Sequence, residues 1–435
     1  MYDLAILSAR LANADGFWDI GVWGGKIAAV ELAGKSVPAK EQVLAEGRLL
    51  LPGIIDAHVH TRDPGYTHKE DYVSATTAAA NGGITTIMAM PNTNPPVTTA
   101  TAVRNADEHL QGRHLVNVRL VGGACAAVPS WILPTAQAGV VALDVYDDVF
   151  AYGTSAWIRM FQEAKKAGVP LCFYLMDSSL EQLRAEEATA TGASEVERIS
   201  GATNGATEAM SIARICPMAA YFDVPVVIRM VSTVDAVEMI RHMRKLYPTA
   251  RIYAEVCVHY LFLTDTDLNT QGGKAHIHPP LRTHWDAAGL WSAIADGTVD
   301  YIASDHAPHA ACEKQTDSLA GCASGMVGLE TMLPLLLDAH AKGKLSLADI
   351  QRLCCENPAN IYGFAEHKGS IRVGGDADLV LVDTERQWTV SHDDCYTRGA
   401  PNPFETVRLR GKPCVTICAG RKVMENGNMI WNSME

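Results

Sequence analysis

The stretch Gly53-Ile54-Ile55-Asp56-Ala57-His58-Val59-His60-Thr61-Arg62-Asp63-Pro64-Gly65 limits what this chain can become more than any other. The apolar run from Leu50 to Val59 reads as one buried strand, and Pro64-Gly65 breaks it. Alternate residues of a strand face the same side, so His58 and His60 deliver two imidazoles to one point at its end. That is a metal-ligand arrangement. A second acidic and histidine-rich segment, Ser304-Asp305-His306-Ala307-Pro308-His309, follows far downstream.

What lies between these two segments alternates apolar runs with helical patterns. Strands are expected at Ile84 to Met90, Asn117 to Val121, Gly139 to Val145, Leu171 to Leu175, Val224 to Met230, Ile252 to Cys257 and Tyr301 to Ser304. Helices are expected at Tyr72 to Asn81, Ser155 to Ala167, Glu208 to Ala219, Val234 to Leu246, Asp286 to Ala295 and Gly328 to Ala341. With the opening strand this makes a (β/α)8 TIM-type barrel, whose chemistry sits where strands end. The two chain ends differ from this middle. Short strands paired through Gly24-Gly25, and the runs Ala377 to Asp383, Thr406 to Arg410 and Cys414 to Cys418, predict a small β-sandwich built from both termini. The expected division is an accessory β domain at 1–50 and 370–435 around a barrel at 51–369.

Composition excludes several functions. A net charge of -13 leaves little to neutralise phosphates, so no nucleic-acid partner is expected. No run of about 18 apolar residues is present to span a membrane, and Met1-Tyr2-Asp3-Leu4 lacks a signal-peptide pattern, so a cytoplasmic protein is expected. The 11 cysteines show no C-x-x-C and read as reduced thiols. The acidic stretch Asp177 to Glu197 reads as a solvated helix and loop. No Gly-rich phosphate fingerprint follows a strand. A small-molecule enzyme remains.

The residues from Asp56 to Gly65, the run Met90-Pro91-Asn92-Thr93-Asn94-Pro95-Pro96, the segment Ser304 to His309, Gly325 to Glu330 and Glu356-Asn357-Pro358-Ala359 together resemble the dihydroorotase branch of the amidohydrolase superfamily. Hydantoinases and allantoinases are its relatives. The resemblance covers essentially the whole chain. It implies hydrolysis of a cyclic amide by metal-activated water, with Asp305 as ligand and as the group that carries the proton to the leaving nitrogen. It also implies that Arg62, Asn92 and His309 hold a ring carboxylate. Arginine suits that task because its planar fork meets a carboxylate with two parallel hydrogen bonds. A homo-oligomer, dimer or tetramer, is implied as well.

The resemblance breaks at several positions. The carboxylated lysine of strand four aligns with Asp144, and the histidines after strands five and six align with Tyr174 and Met230, so three of the usual ligands are replaced. Phenol and thioether are poor ligands for a hard or borderline cation. A mononuclear site on His58, His60 and Asp305 is therefore expected, with one divalent metal, zinc first and manganese, cobalt or iron as alternatives. Asp144 stays open as a fourth ligand, an acceptor for a ligand's N–H, or a polar strand end. The branch's Asn-Pro-Pro-Leu-Arg reads His278-Pro279-Pro280-Leu281-Arg282, which places His278 against the substrate and leaves the exact ring open. His259 is open between site and packing. The expected function is a hydrolase of an acidic, dihydroorotate-like ring. The alternatives are a hydantoinase-like or allantoinase-like specificity for neutral ureide rings, and a degenerate scaffold acting through protein partners.

Overall fold

A computed structural model describes residues 1–35, 37–175, 177–316 and 318–430, so the last five positions of the expected 370–435 segment lie outside the described residues. The chain opens with β1 (Tyr2–Leu11), β2 (Ala14–Trp23), β3 (Lys26–Leu32), β4 (Ala39–Leu44) and β5 (Leu49–Pro52). Gly24 and Gly25 turn β2 into β3 with φ of 58° and 77°, the left-handed conformation that a two-residue hairpin turn demands.

The barrel follows as β6 (Ile54–Val59), β7 (Ile84–Ala89), β8 (Asn117–Leu120), β9 (Gly122–Ala124), β10 (Leu143–Val145), β11 (Leu171–Phe173), β12 (Val226–Ile228), β13 (Ile252–Cys257) and β14 (Tyr301–Ala303). All the barrel pairings are parallel, and a bridge from Val59 to His306 joins the last strand back to the first. The expected third strand is split. Its first half pairs with β7 and its second with β10, because Val121 gives its N–H to Ala89 and Gly122 gives its own to Ala142. Several strands are shorter than the apolar runs that announce them. Strand β12 stops at Ile228, and two residues later Met230 takes a positive φ of 54° that a strand cannot continue.

The expected opening strand is also two strands. At Gly53 the backbone lies so close to Thr85 that an added Cβ would sit 1.9 Å from its Oγ1, and only glycine fits. Residues before it join the terminal sheet, and residues after it join the barrel.

The C-terminal strands are β15 (Leu379–Thr389), β16 (Arg408–Cys418), β17 (Arg421–Glu425) and β18 (Asn428–Met429). They combine with β1–β5 in one nine-stranded sheet, ordered β18-β17-β16-β15-β5-β1-β2-β3 with β4 beside β1. The two layers of the expected sandwich are thus parts of one sheet, whose β1–β5 and β15–β16 residues share a core that includes Ile6, Ile20, Leu50, Leu379 and Ile417. The six expected helices are present. Tyr72–Asn81 begins at Asp71, whose carboxylate accepts the Ser74 N–H in a capping box. The last of the six starts at Met332, four residues later than expected, because Gly328 is packed against Ser304. The 177–197 stretch forms solvated helices, Ser178–Ala190 and the start of Glu195–Ala202. Among the described residues no helix is long and apolar enough to cross a membrane, and all eleven cysteines are free.

Candidate active site

The C-terminal ends of the barrel strands converge on a cavity of 250 Å³ lined by His60, Arg62, Asn92, Tyr146, Tyr174, Met230, Ile277, His278, Asp305 and His309, among others. A larger groove of 770 Å³ lies on the outer helices, but Ile158, Pro217, Met218, Tyr221 and Leu246 give it no titratable cluster. The smaller cavity is where chemistry can be done.

Strand β6 buries His58, and His60, just past its end, lines the cavity. The backbone of Asp305 is held at a φ of 45°, and that of Arg62 at 59°, in a left-handed region that costs a non-glycine residue about 1–2 kcal/mol. Asp56 ties the two strand ends together, since one of its oxygens accepts the N–H groups of both His58 and Ser304, at 3.3 and 3.1 Å. Strain at these positions is held in place by that cross-link.

Three atoms able to bind a metal meet there. His60 Nε2 lies 3.2 Å and His58 Nε2 3.3 Å from the same Asp305 Oδ1. Each ring has its other nitrogen committed: His58 Nδ1–H donates to Glu255 at 2.7 Å, and His60 Nδ1–H to the Asn92 side-chain carbonyl at 2.8 Å. Both Nε2 atoms therefore face the same carboxylate oxygen, and the Tyr174 hydroxyl lies 2.9 Å from that of His58. Ligands 2.0–2.2 Å from a tetrahedral metal stand about 3.3 Å apart. The spacing in this cluster matches that value.

Electrostatics make the same demand. Burial opposes the Asp305 charge, but His58 and His60 outweigh it and hold the carboxyl far below the usual range. Burial drops His60 to about 4, which keeps it neutral. At His58 burial works against a charge, yet the Glu255 and Asp305 carboxylates win and draw positive charge onto it. The site calls for a cation at the point where the three atoms meet, and the residues present fit a metal ion. Cys257 and His259 adjoin the cluster. His259 is buried, lowered to about 4 by burial, and its Nε2 has no partner among the described residues.

The substrate side is polar and partly engaged. Arg62 Nε donates to the Pro308 carbonyl at 3.1 Å, and its Nη2 lies 3.2 Å from His309. His309 donates from Nε2 to the Ser324 carbonyl at 2.9 Å and accepts at Nδ1 from Lys69 at 3.1 Å. Burial, with Arg62 and Lys69 nearby, lowers His309 to about 3. His278 and Asn92 stand at the rim of the same cavity, and Tyr146 stacks on Tyr174 with ring centroids 4.8 Å apart.

Asp144 is not among the clustered ligand atoms. It is fully buried, one of its oxygens accepts from Arg229 Nε at 2.9 Å, and the other lies 3.4 Å from the Tyr174 hydroxyl. Arg229 is fully buried as well and donates to Glu255 at 2.5 Å and to the Ala57 carbonyl at 3.2 Å. Burial would raise Glu255, but Arg229 and His58 bring it down to about 2. Sequence reasoning missed the Arg229–Glu255 pair. The signal was present: one arginine and one glutamate interrupt the apolar runs of two adjacent barrel strands, and lone charges there need each other.

The chain matches the model of the amidohydrolase family over residues 49–423. It is 33% identical over 423 residues to a dihydroorotase of Acetivibrio thermocellus, covering 95% of this chain and 96% of that protein. It is 31% identical over 428 residues to a dihydroorotase of Aquifex aeolicus, covering 95% and 96%. Among solved structures it superposes on the L-hydantoinase of Arthrobacter aurescens with a TM-score of 0.94 at 27% identity, covering 99% of this chain and 98% of that one. The chain belongs to the amidohydrolase family, in the branch of the dihydroorotases and hydantoinases, and is by that membership a hydrolase of cyclic amides.

Proposed function

We propose that this enzyme opens an acidic, dihydroorotate-like ring with water activated at a single divalent cation held by His58, His60 and Asp305. The spacing of 3.2 and 3.3 Å around Asp305 Oδ1 carries the reading, because two imidazole nitrogens and a carboxylate oxygen so placed fit the ligand shell of one cation. The cation supplies, when bound, an acidified water and a Lewis acid for the ring carbonyl. Zinc suits two imidazoles and a carboxylate, and manganese, cobalt and iron accept the same set.

The chain's own residues do the rest. Asp305, kept ionised, takes a proton from the attacking water and delivers it to the ring nitrogen as the C–N bond breaks. Glu255 keeps the His58 proton on Nδ1, so that Nε2 stays a ligand. Asn92 does the same for His60. Arg62 supplies the charge that holds a ring carboxylate, with His309, Asn92 and His278 shaping the grip. Tyr174 and Met230 line the wall where other members of the branch place histidine ligands, which supports one cation and not two. The segments 1–50 and 370–435 serve the 51–369 barrel as an accessory unit, and the assembly is a homodimer or tetramer.

The likeness to the L-hydantoinase structure favours a second reading, a neutral ureide ring. Metal content by elemental analysis, together with turnover of dihydroorotate, hydantoin, allantoin and a simple cyclic imide, separates the two. One metal per chain and preferred turnover of dihydroorotate are expected. Turnover of hydantoin or allantoin with none of dihydroorotate transfers the assignment to neutral rings. No metal, and no turnover after zinc or manganese is added, overturns both.

A further inference from the structure

We infer that Arg229 is a built-in cation that commits Asp144 to an ion pair and thereby restricts the barrel to one bound metal. The inference rests on the metal-hydrolase reading above and specifies how its metal count is set. Asp144 would otherwise be a ready ligand: it is fully buried at a strand end, and the Tyr174 hydroxyl at 3.4 Å links it to His58 Nε2, 2.9 Å further on.

The guanidinium removes that option. Nε and Nη2 both lie 2.9 Å from Asp144 Oδ1, and Nη1 reaches Glu255 Oε2. A guanidinium stays charged at any accessible pH, so this neutralisation is permanent. Charge counting then gives the number of metals. Asp144, Glu255 and Asp305 are three carboxylates in contact with this network, and among the described residues Arg229 is its one fixed cation. Two negative charges remain. One divalent ion neutralises them, and a second would leave an uncompensated positive charge in a medium where such a charge is very costly. Asp56 stands apart, held by backbone N–H groups of His58 and Ser304.

The same contacts make Arg229 a positioning residue. It orients Glu255, and Glu255 orients His58, so one guanidinium both withholds Asp144 and presents a ligand.

The test is zinc binding alone, read by elemental analysis after dialysis and by competition with a chromophoric chelator. Wild type and the variants Asp144→Asn, Arg229→Met and Arg229→Met/Asp144→Asn are compared, with thermal unfolding as a check on the fold. Asp144→Asn, which leaves the Arg229 charge unpaired beside the cluster, is expected to bind no more than one zinc, and more weakly than wild type. Arg229→Met is expected to bind a second zinc, or to bind the first about tenfold tighter or more, because Asp144 is released. The double variant is expected to return to one zinc near wild-type affinity, and it stays informative if Arg229→Met alone does not fold, since removing both members of a buried pair is tolerated better than removing one. A double variant that still binds a second zinc would overturn the inference, as would a folded Arg229→Met indistinguishable from wild type. Wild-type protein that binds no zinc overturns the functional reading itself, a separate result.

Discussion

The two sides of the barrel mouth handle buried charge in opposite ways. On the β6 and β14 side, His58, His60 and Asp305 turn two ring nitrogens and a carboxylate oxygen toward one point. On the β10 and β12 side, Asp144 and Arg229 close the balance within the protein. A satisfied ion pair is a structural element, whereas a cluster of converging ligand atoms can hold a cation. Burial alone does not distinguish them, since the members of both are buried. What distinguishes them is whether each polar atom already has a partner of opposite sign.

The sharpest way to break this comparison is on the open side. His58→Ala or Asp305→Ala should abolish cation binding and reduce turnover to background, measured by elemental analysis and ring-opening assay. Full turnover in either variant would mean the open side is not the reaction centre. Glu255→Gln acts across the divide, because Glu255 touches both Arg229 and His58. Metal affinity should fall by about 10–100-fold in chelator competition, the usual cost of losing a carboxylate behind a ligating histidine. An unchanged affinity would separate the two sides completely. Arg62→Met tests the rim: KM for an acidic ring should rise about tenfold or more while kcat changes less. An unchanged KM would favour the neutral ring.

The smallest effect concerns pH. His309 is lowered to about 3 from an ordinary 6.5, so the folded state binds fewer protons than the unfolded state between those values. Its contribution to stability is complete above pH 6.5 and is lost as pH falls toward 3. Melting temperatures of metal-free protein should therefore decline over that window, with a shallower slope in His309→Asn. Equal slopes would mean that other groups carry the acid response.

Much of the open side was legible in the chain. An H-x-H at a strand end is a local pattern, and period-two geometry alone puts both rings on one face. The Asp305 segment was legible for a similar reason, since it ends the last apolar run. The closed side was not, because its meaning lies in pairing. Asp144 and Arg229 are 85 residues apart, and nothing local tells a ligand from a countercharge. The strand boundaries failed for a related reason. The apolar run 50–59 is continuous in hydropathy, and only contact with Thr85 shows why Gly53 must divide it. The handover of the third strand from β7 to β10 likewise depends on neighbours that hydropathy does not register.

Gly53 also bears on the order in which the molecule can be assembled. The strand on its N-terminal side is flanked by Leu379–Val382, and the strand on its C-terminal side is closed by His306. Both partners emerge from the ribosome hundreds of residues later. The stretch that carries His58 and His60 therefore waits, with one edge of each strand unpaired, until most of the chain has been synthesised. Such long-range closure is slow, and exposed edges are where chains associate wrongly. The cluster of His58, His60 and Asp305 becomes complete only near the end of folding, so a chain cut short before residue 305 presents the histidines without the carboxylate that faces them.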